Sequence, residues 1–245
     1  MLRILFSTYV WLLIILTTLF HAPLFLIIWL LTVAFDKNLV LLHYFSNIWG
    51  SSFTVLVPSW KVEIIGKEKI DKKNVKIVVA NHQSQEDILL IYRLGILFRW
   101  VSKAEVFKIP IYGWLMHLKG DIKLHRSSKA SIKNMLIDSE KVIGKGGSIA
   151  IFPEGTRSRT GNLGNFKDGA FALAQKTQSP ILPVVIYGTG CEFITSNFFF
   201  KGKHKVILKV LNEIPYSKFE NMNIREISNM VREKIEKELE KLKTT

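Results

Sequence analysis

A histidine and a carboxylate with the spacing of a general-base pair follow one apolar run of the chain. Residues 81–87 read Asn-His-Gln-Ser-Gln-Glu-Asp and come directly after the run Ile77–Ala80. Imidazole titrates near physiological pH, and a carboxylate bonded to one ring nitrogen leaves the other nitrogen free to accept a proton. His82 and Asp87 are therefore the candidate catalytic residues of this sequence.

The spacing of these two residues restricts how they can meet. Five residues of continuous helix would place the side chains about 140° apart. They meet only if His82 lies in the turn before a helix and Asp87 in its first turns, and Ser84 as N-cap with Asp87 at N3 would give that arrangement. The alternative interpretation is a strand-end histidine bonded to backbone beside a helix-capping acid.

A second polar loop, residues 152–159, follows the apolar stretch at residues 148–151. Loops at strand ends are where α/β sheets place ligand groups. Arg157 offers a planar fork that can bind a phosphate through two hydrogen bonds, and Glu154 can orient Arg157 or accept a bond from a substrate hydroxyl. The alternative is a polar turn with an ion pair on the surface.

More positive charge follows two other predicted elements. Lys103 comes after the predicted strand at residues 98–101, and Arg126 ends the stretch Gly-Asp-Ile-Lys-Leu-His-Arg at residues 120–126. We expect both side chains at the same edge of the sheet, where they can contact an anionic substrate.

Strands alternate with helices along most of the chain. Strands are predicted at residues 62–65, 76–80, 98–101, 148–152, 181–186 and 206–211, and helices at 38–58, 87–97, 109–118, 129–143, 170–176 and 224–243. This alternation predicts an α/β fold with a mostly parallel central sheet flanked by helices. We expect residues 1–58 to form a membrane-anchoring helical segment and residues 59–245 to form the α/β domain.

The N-terminal segment is strongly apolar, since residues 4–35 contain no Asp, Glu, Lys or Arg. As one helix, these 32 residues would be about 48 Å long, whereas a hydrocarbon core is about 30 Å thick. His21 and Pro23 divide the run into two shorter pieces. We therefore predict a helical hairpin that dips into one leaflet, with a tilted span or a cleaved signal peptide as alternatives.

The rest of the chain is basic. The net charge is +14, and Arg3, Asp36 and Lys37 are the charged residues of the first 60 positions. A basic domain behind an apolar anchor favours an anionic membrane surface on the cytoplasmic face of the inner membrane. Nucleic acid is not expected, because no zinc-finger spacing or RNA-binding aromatic motif is present. The single cysteine, Cys191, is expected to be an inert thiol.

Four blocks occur in a fixed order: Asn81-His82-x4-Asp87, residues 120–126, Phe-Pro-Glu-Gly-Thr-Arg at 152–157, and Leu-Pro-Val at 182–184. This set resembles the glycerolipid acyltransferases, most nearly the 1-acyl-sn-glycerol-3-phosphate acyltransferases. The resemblance covers roughly residues 60–215. Two features depart from the family pattern: polar residues at 85 and 86 precede Asp87, and His125 stands where the family commonly has an acid.

The resemblance implies a direct acyl transfer. His82 would take the proton of the sn-2 hydroxyl of lysophosphatidic acid, which attacks the thioester of acyl-CoA or acyl-carrier protein, while Asp87 orients the imidazole. The residues that match the family's substrate-binding positions are Glu154, Gly155, Thr156, Arg157, Arg126 and, less closely, Lys103. No cofactor and no metal are implied, because the acyl thioester is a co-substrate.

Three other functions compete with this interpretation. The acceptor could be glycerol 3-phosphate, a different lysolipid or an acylated sugar. A serine hydrolase is disfavoured, because the chain has no Gly-x-Ser-x-Gly motif. A non-catalytic protein that binds anionic lipid would use the basic surface and the apolar anchor without needing His82.

Overall fold

The computed structural model describes residues 2–57, 60–158, 161–190, 200 and 204–244. Seven strands form one sheet in the order β1-β7-β6-β2-β5-β3-β4. The pairing of β6 with β7 is antiparallel, and the five other pairings between neighbouring strands are parallel. The predicted α/β fold with a mostly parallel sheet is confirmed. Arg159 of the loop at 152–159 and Cys191 lie outside the described residues.

The elements alternate along the chain as predicted. The strands are Trp60–Ile65 (β1), Ile77–Ala80 (β2), Phe98–Lys103 (β3), Ile122–Leu124 (β4), Ser148–Ile151 (β5), Ile181–Tyr187 (β6) and His204–Val210 (β7). The helices are Leu2–Thr32 (α1), Val40–Leu56 (α2), Asp87–Tyr92 (α3), Tyr112–Lys119 (α4), Lys129–Gly144 (α5), Gly169–Thr177 (α6) and Ile224–Lys243 (α7). β4 was not predicted, because three residues carry too short a pattern to identify a strand.

Helices cover both faces of the sheet, which explains why its central strands are continuously apolar. In β2, Val78 and Ala80 face a core shared with α1 and α3, whereas Ile77 and Val79 face a core shared with α5, α6 and α7. α4 packs against α1 and α2 in a third apolar cluster through Leu115.

The predicted break of the N-terminal helix at His21–Pro23 is wrong. α1 runs without interruption through Pro23, and the hairpin is made by α1 and α2, joined by residues 33–39. Packing explains the continuity: the His21 ring stacks on Trp49 at 5.6 Å, and Phe25 is buried in a cluster with Trp49 and other α2 residues. Packing against a neighbouring helix can keep a helix continuous where proline removes one hydrogen bond.

α1 presents an apolar surface to its surroundings over most of its length. Among the described residues, α1 is the one helix that is long and apolar enough to cross a membrane. Only 11% of its most apolar stretch is buried against the rest of the protein. Its exposed apolar side chains include Leu2, Leu5, Leu12, Leu16, Phe20, Ile27 and Leu31. The predicted boundary falls on residues 58 and 59, which lie outside the described residues.

The direction of the strands brings the polar loops together. Because β6, β2, β5, β3 and β4 all run the same way, their carboxyl ends share one edge of the sheet. His82 follows β2, the loop at 152–158 follows β5, Lys103 ends β3, and Arg126 follows β4. Ligand sites of α/β sheets lie at such an edge.

Candidate active site

His82 and Asp87 form the hydrogen-bonded pair that the spacing suggested. His82 Nδ1 lies 2.9 Å from Asp87 Oδ2, and the Asp87 side chain is fully buried whereas that of His82 is 13% exposed. An ionised carboxylate only accepts hydrogen bonds, so Nδ1 carries the proton of the neutral ring. In that tautomer the lone pair of Nε2 is available to accept a proton.

The local turn differs from the predicted one and explains how the two residues meet. α3 begins at Asp87, and Glu86, not Ser84, occupies the N-cap position. The Asp87 Oδ2 atom also accepts the backbone N–H groups of Gln83 at 2.6 Å and Ser84 at 2.8 Å. Asp87 therefore closes the turn back onto His82, and charge-assisted bonds hold its carboxylate in that position.

The neighbouring acid Glu86 does not compete for His82. Its carboxylate accepts the hydroxyl of Ser84, which lies within the same turn. Burial raises the pKa of the Glu86 carboxyl, against the opposing effect of the Ser84 bond and the charge of Arg157. Of these two adjacent acids, Asp87 is the one that is hydrogen-bonded to the imidazole.

The loop after β5 holds the backbone of His82 on both sides. The His82 N–H donates to Glu154 Oε1 at 2.7 Å, and the His82 carbonyl accepts the N–H of Ser158 at 2.8 Å. Glu154 Oε2 accepts the N–H of Gly164 at 2.9 Å. Burial raises the pKa of the Glu154 carboxyl, although these two backbone bonds act in the opposite direction.

Both oxygens of Glu154 are therefore occupied by backbone donors. Glu154 is buried, whereas Thr156 and Arg157 of the same loop are exposed. The predicted contact of Glu154 with Arg157 or a substrate hydroxyl stays a prediction, and the geometry favours a positioning role for this carboxylate. Gly155 adopts a φ of +71°, which lets the loop turn outward between the buried and the exposed residue.

An aromatic stack that sequence reasoning missed supports the imidazole. The rings of His82 and Phe152 are stacked with centroids 4.0 Å apart and planes within 7°. Phe152 in turn stacks on Trp100 at 5.0 Å. Phe152 directly precedes Pro153 in the predicted ligand loop, but nothing in the local pattern indicates which ring it would contact.

The remaining candidate residues are cationic and accessible. Lys103 has a 48% exposed side chain that lies 3.6 Å from Glu105, and Arg126 is exposed beyond β4. Neighbouring strands lie about 4.8 Å apart, so the ends of β2, β5, β3 and β4 fall within about 15 Å. A further cation, Lys167, lies beside Gly155 and was not predicted.

The charges at this edge suit an anion more than a metal ion. Among the residues that the structure describes, no three His, Cys, Asp or Glu side chains come together as a metal site would require. The arrangement instead combines one oriented base with exposed cations on the neighbouring strand ends. Such a site can deprotonate a hydroxyl of a substrate that carries a phosphate.

Comparison with known proteins identifies the family to which the chain belongs. Residues 61–187, which contain His82, Asp87 and the loop at 152–158, match the family model described as Acyltransferase. The chain belongs to the acyltransferase family.

Two curated relatives and one solved structure show which members it is similar to. A 1-acyl-sn-glycerol-3-phosphate acyltransferase of Borreliella burgdorferi is 33% identical over 184 residues, which cover 75% of this chain and 73% of the relative. A chloroplastic protein of the same description from Brassica napus is 38% identical over 60% of this chain, but this chain spans only 43% of that relative. The crystal structure of the 1-acyl-sn-glycerophosphate acyltransferase PlsC from Thermotoga maritima matches 99% of this chain and 97% of its own, with a TM-score of 0.82 and 28% identity.

Proposed function

We propose that the protein transfers a fatty acyl group from an acyl thioester to the sn-2 hydroxyl of lysophosphatidic acid, which gives phosphatidic acid for phospholipid biosynthesis. The observation that carries the proposal is the His82–Asp87 bond of 2.9 Å at a sheet edge that also holds Arg157, Lys103 and Arg126. The descriptions of the relatives support the choice of acceptor.

The chemical step needs one base and no enzyme nucleophile. His82 Nε2 takes the hydroxyl proton as the acceptor oxygen attacks the thioester carbonyl carbon. The tetrahedral intermediate collapses with loss of the thiolate, which receives the proton from the imidazolium and leaves as free thiol. Asp87 stabilises the imidazolium between these transfers and keeps the ring in one orientation.

Positioning of the imidazole is the second contribution of the site. Glu154 and Ser158 hold the His82 backbone, and Phe152 covers one face of its ring. A base that is held in place before the substrate arrives avoids the entropic cost of ordering it during the reaction. We propose that Glu154 serves this purpose and does not bind the substrate directly.

The acceptor's phosphate would lie against the exposed cations. Arg157 can form two parallel hydrogen bonds to phosphate oxygens, and Lys103 and Arg126 add charge from the next two strands. Gly155 turns the loop outward, and Thr156 brings a hydroxyl to the same place. The exposure of these residues allows a lipid headgroup to reach them from the surface.

The membrane and the donor complete the proposal. α1 supplies an apolar surface for association with the leaflet, and the net charge of +14 favours anionic lipid on the cytoplasmic face of the inner membrane. The acyl thioester is presented by acyl-CoA or acyl-carrier protein. No cofactor is part of the proposed reaction.

Mass spectrometry of lipid products tests this function most broadly. The purified protein in mixed micelles receives a mixture of acyl-CoA and acyl-carrier-protein donors with lysophosphatidic acid, glycerol 3-phosphate and other lysophospholipids. We expect phosphatidic acid as the main product and one free thiol per acyl group transferred. Acylation of another acceptor in preference to lysophosphatidic acid would correct the substrate, and no acyl transfer to any acceptor would reject the enzyme.

A further inference from the structure

An apolar patch at the start of α4 is exposed beside the active-site edge. Ile109, Tyr112 and Trp114 are 47%, 37% and 67% exposed. Single exposed apolar side chains are ordinary on a protein surface, whereas several large ones within six residues mark an interaction surface. We call residues 109–114 the α4 patch.

The α4 patch lies at the same edge of the sheet as His82. The 3₁₀ turn Ala104–Lys108 leaves the carboxyl end of β3 and leads directly into the patch. The patch also continues the apolar surface of the N-terminal helices. Tyr112 Oη lies 2.8 Å from Thr18 Oγ1 of α1, and the Tyr112 ring stacks on Trp49 of α2 at 6.1 Å.

The backbone of the patch is strained. Ile111 has φ 65° and ψ −62°, and the N–H of Tyr112 donates to the carbonyl of Pro110 at 2.7 Å. This is a γ-turn with positive φ, which is unfavourable for a β-branched residue. The turn directs Ile111 into the apolar cluster of α1 and α2 while Ile109 and Tyr112 stay exposed. Strain of this kind persists where the surrounding structure enforces it, often at functional segments.

Basic side chains flank the patch. Lys108 is exposed on the turn that leads into it, and Lys103, which lies 3.6 Å from Glu105 of that turn, is exposed at the end of β3. Segments that lie at the boundary between lipid headgroups and acyl chains are commonly rich in tryptophan, tyrosine and lysine, as this patch and its flanking residues are. The lysines complement anionic headgroups, to which each nearby basic residue adds favourable binding energy.

We propose that the α4 patch is a second membrane-docking surface beside α1, and that it binds the headgroup region of an anionic bilayer. Docking through both α1 and α4 fixes the rotation of the domain, so that the edge with His82 faces the leaflet. A lipid acceptor can then enter the site while part of the lipid remains in the membrane. This inference concerns docking and does not depend on the acyl transfer proposed above.

Depth measurement with a spin label tests the docking. In a Cys191→Ser background, a nitroxide is attached to the full chain at Trp114→Cys or, as the control, at Ile137→Cys. Ile137 is 37% exposed on α5, which covers the face of the sheet opposite to the face that α1 and α3 cover. The proteins are placed in vesicles of phosphatidylcholine and phosphatidylglycerol, and collisions with oxygen and with a water-soluble nickel complex are compared.

We expect the label at 114 to collide with oxygen several-fold more than with nickel, and the label at 137 to show the reverse. Equal nickel accessibility at both positions would overturn the proposal. Shielding of position 114 from both reagents would also overturn it, because that result indicates cover by protein. The same measurement in a His82→Ala variant should be unchanged, so that a failure of docking and a failure of catalysis are distinguished.

Discussion

The loops that follow β2 and β5 differ from the ends of β3 and β4 in how much the protein itself constrains them. Around His82, the carboxylates of Asp87 and Glu154 together accept four backbone N–H groups and one ring N–H group over 2.6–2.9 Å. At the neighbouring strand ends, Lys103 and Arg126 extend into the surroundings. One half of the edge is fixed, and the other half is free to adapt.

This difference matches the two tasks of the proposed reaction. Proton transfer depends on a base held within a fraction of an ångström, and its support must exist before the substrate binds. Phosphate binding depends on charge and tolerates several side-chain conformations. The loop at 152–158 contains both kinds of residue, since Glu154 is buried and Arg157, three positions later, is exposed.

The largest difference should appear between two adjacent acids of the fixed half. Asp87→Asn should lower kcat about 10²- to 10⁴-fold, because the amide cannot stabilise the imidazolium or enforce one tautomer. Glu86→Gln is the matched control, since Glu86 contacts Ser84 and not His82. Steady-state assays should show nearly normal kcat for the control. An equal loss in both variants would contradict the assignment of Asp87.

Arg157 tests the exposed cations of this edge, although it lies in the same loop as the buried Glu154. Arg157→Ala should raise the KM for lysophosphatidic acid about 10- to 100-fold, as expected for loss of a hydrogen-bonded charge contact, with little change in kcat. Arg157→Lys should recover part of the affinity, because it restores charge but not the planar fork. The KM for the acyl donor serves as the internal control. A larger effect on the donor than on the acceptor would place Arg157 elsewhere in the site.

Glu154 distinguishes a positioning residue from a substrate ligand. Glu154→Gln can keep only one acceptor for the two N–H groups of His82 and Gly164. We expect the free energy of unfolding to fall by about 1–3 kcal/mol, and kcat to fall about tenfold at an unchanged KM. Thermal unfolding in detergent and kinetics measure these together. A raised KM with unchanged stability would instead make Glu154 a substrate contact.

The smallest effect is expected for the aromatic stack. Phe152→Leu should lower kcat about 2- to 10-fold, because aromatic pairs contribute about 0.5–1.5 kcal/mol beyond their buried area. Phe152→Tyr should retain most of the wild-type kcat, since it keeps an aromatic ring against His82. If leucine and tyrosine gave the same rate, the stacking would have no role in catalysis.

The features of the fold and site that depend on short-range sequence patterns could be predicted from the sequence. The alternation of strands and helices gave the fold class, and α7 has the predicted bounds Ile224–Lys243 because its apolar stripe has a regular helical period. The contact of His82 with Asp87 spans five residues and could be anticipated from spacing.

The contacts that support this pair could not be predicted from the sequence. Glu154 and His82 are 72 positions apart, and only the order of strands in the sheet makes β2 and β5 neighbours. Likewise, Pro23 alone predicts a break in α1, whereas packing of His21 and Phe25 against α2 keeps the helix continuous. Tertiary contacts decided each of these features.

The central claim is that the imidazole of residue 82 removes the hydroxyl proton of a lipid acceptor. The most direct measurement is the single-turnover rate of thiol release in vesicles saturated with lysophosphatidic acid, for the wild-type protein and for His82→Ala. We predict a loss of about 10²- to 10⁴-fold or more in the variant, with unchanged vesicle binding. A rate within a few-fold of the wild type would contradict the account.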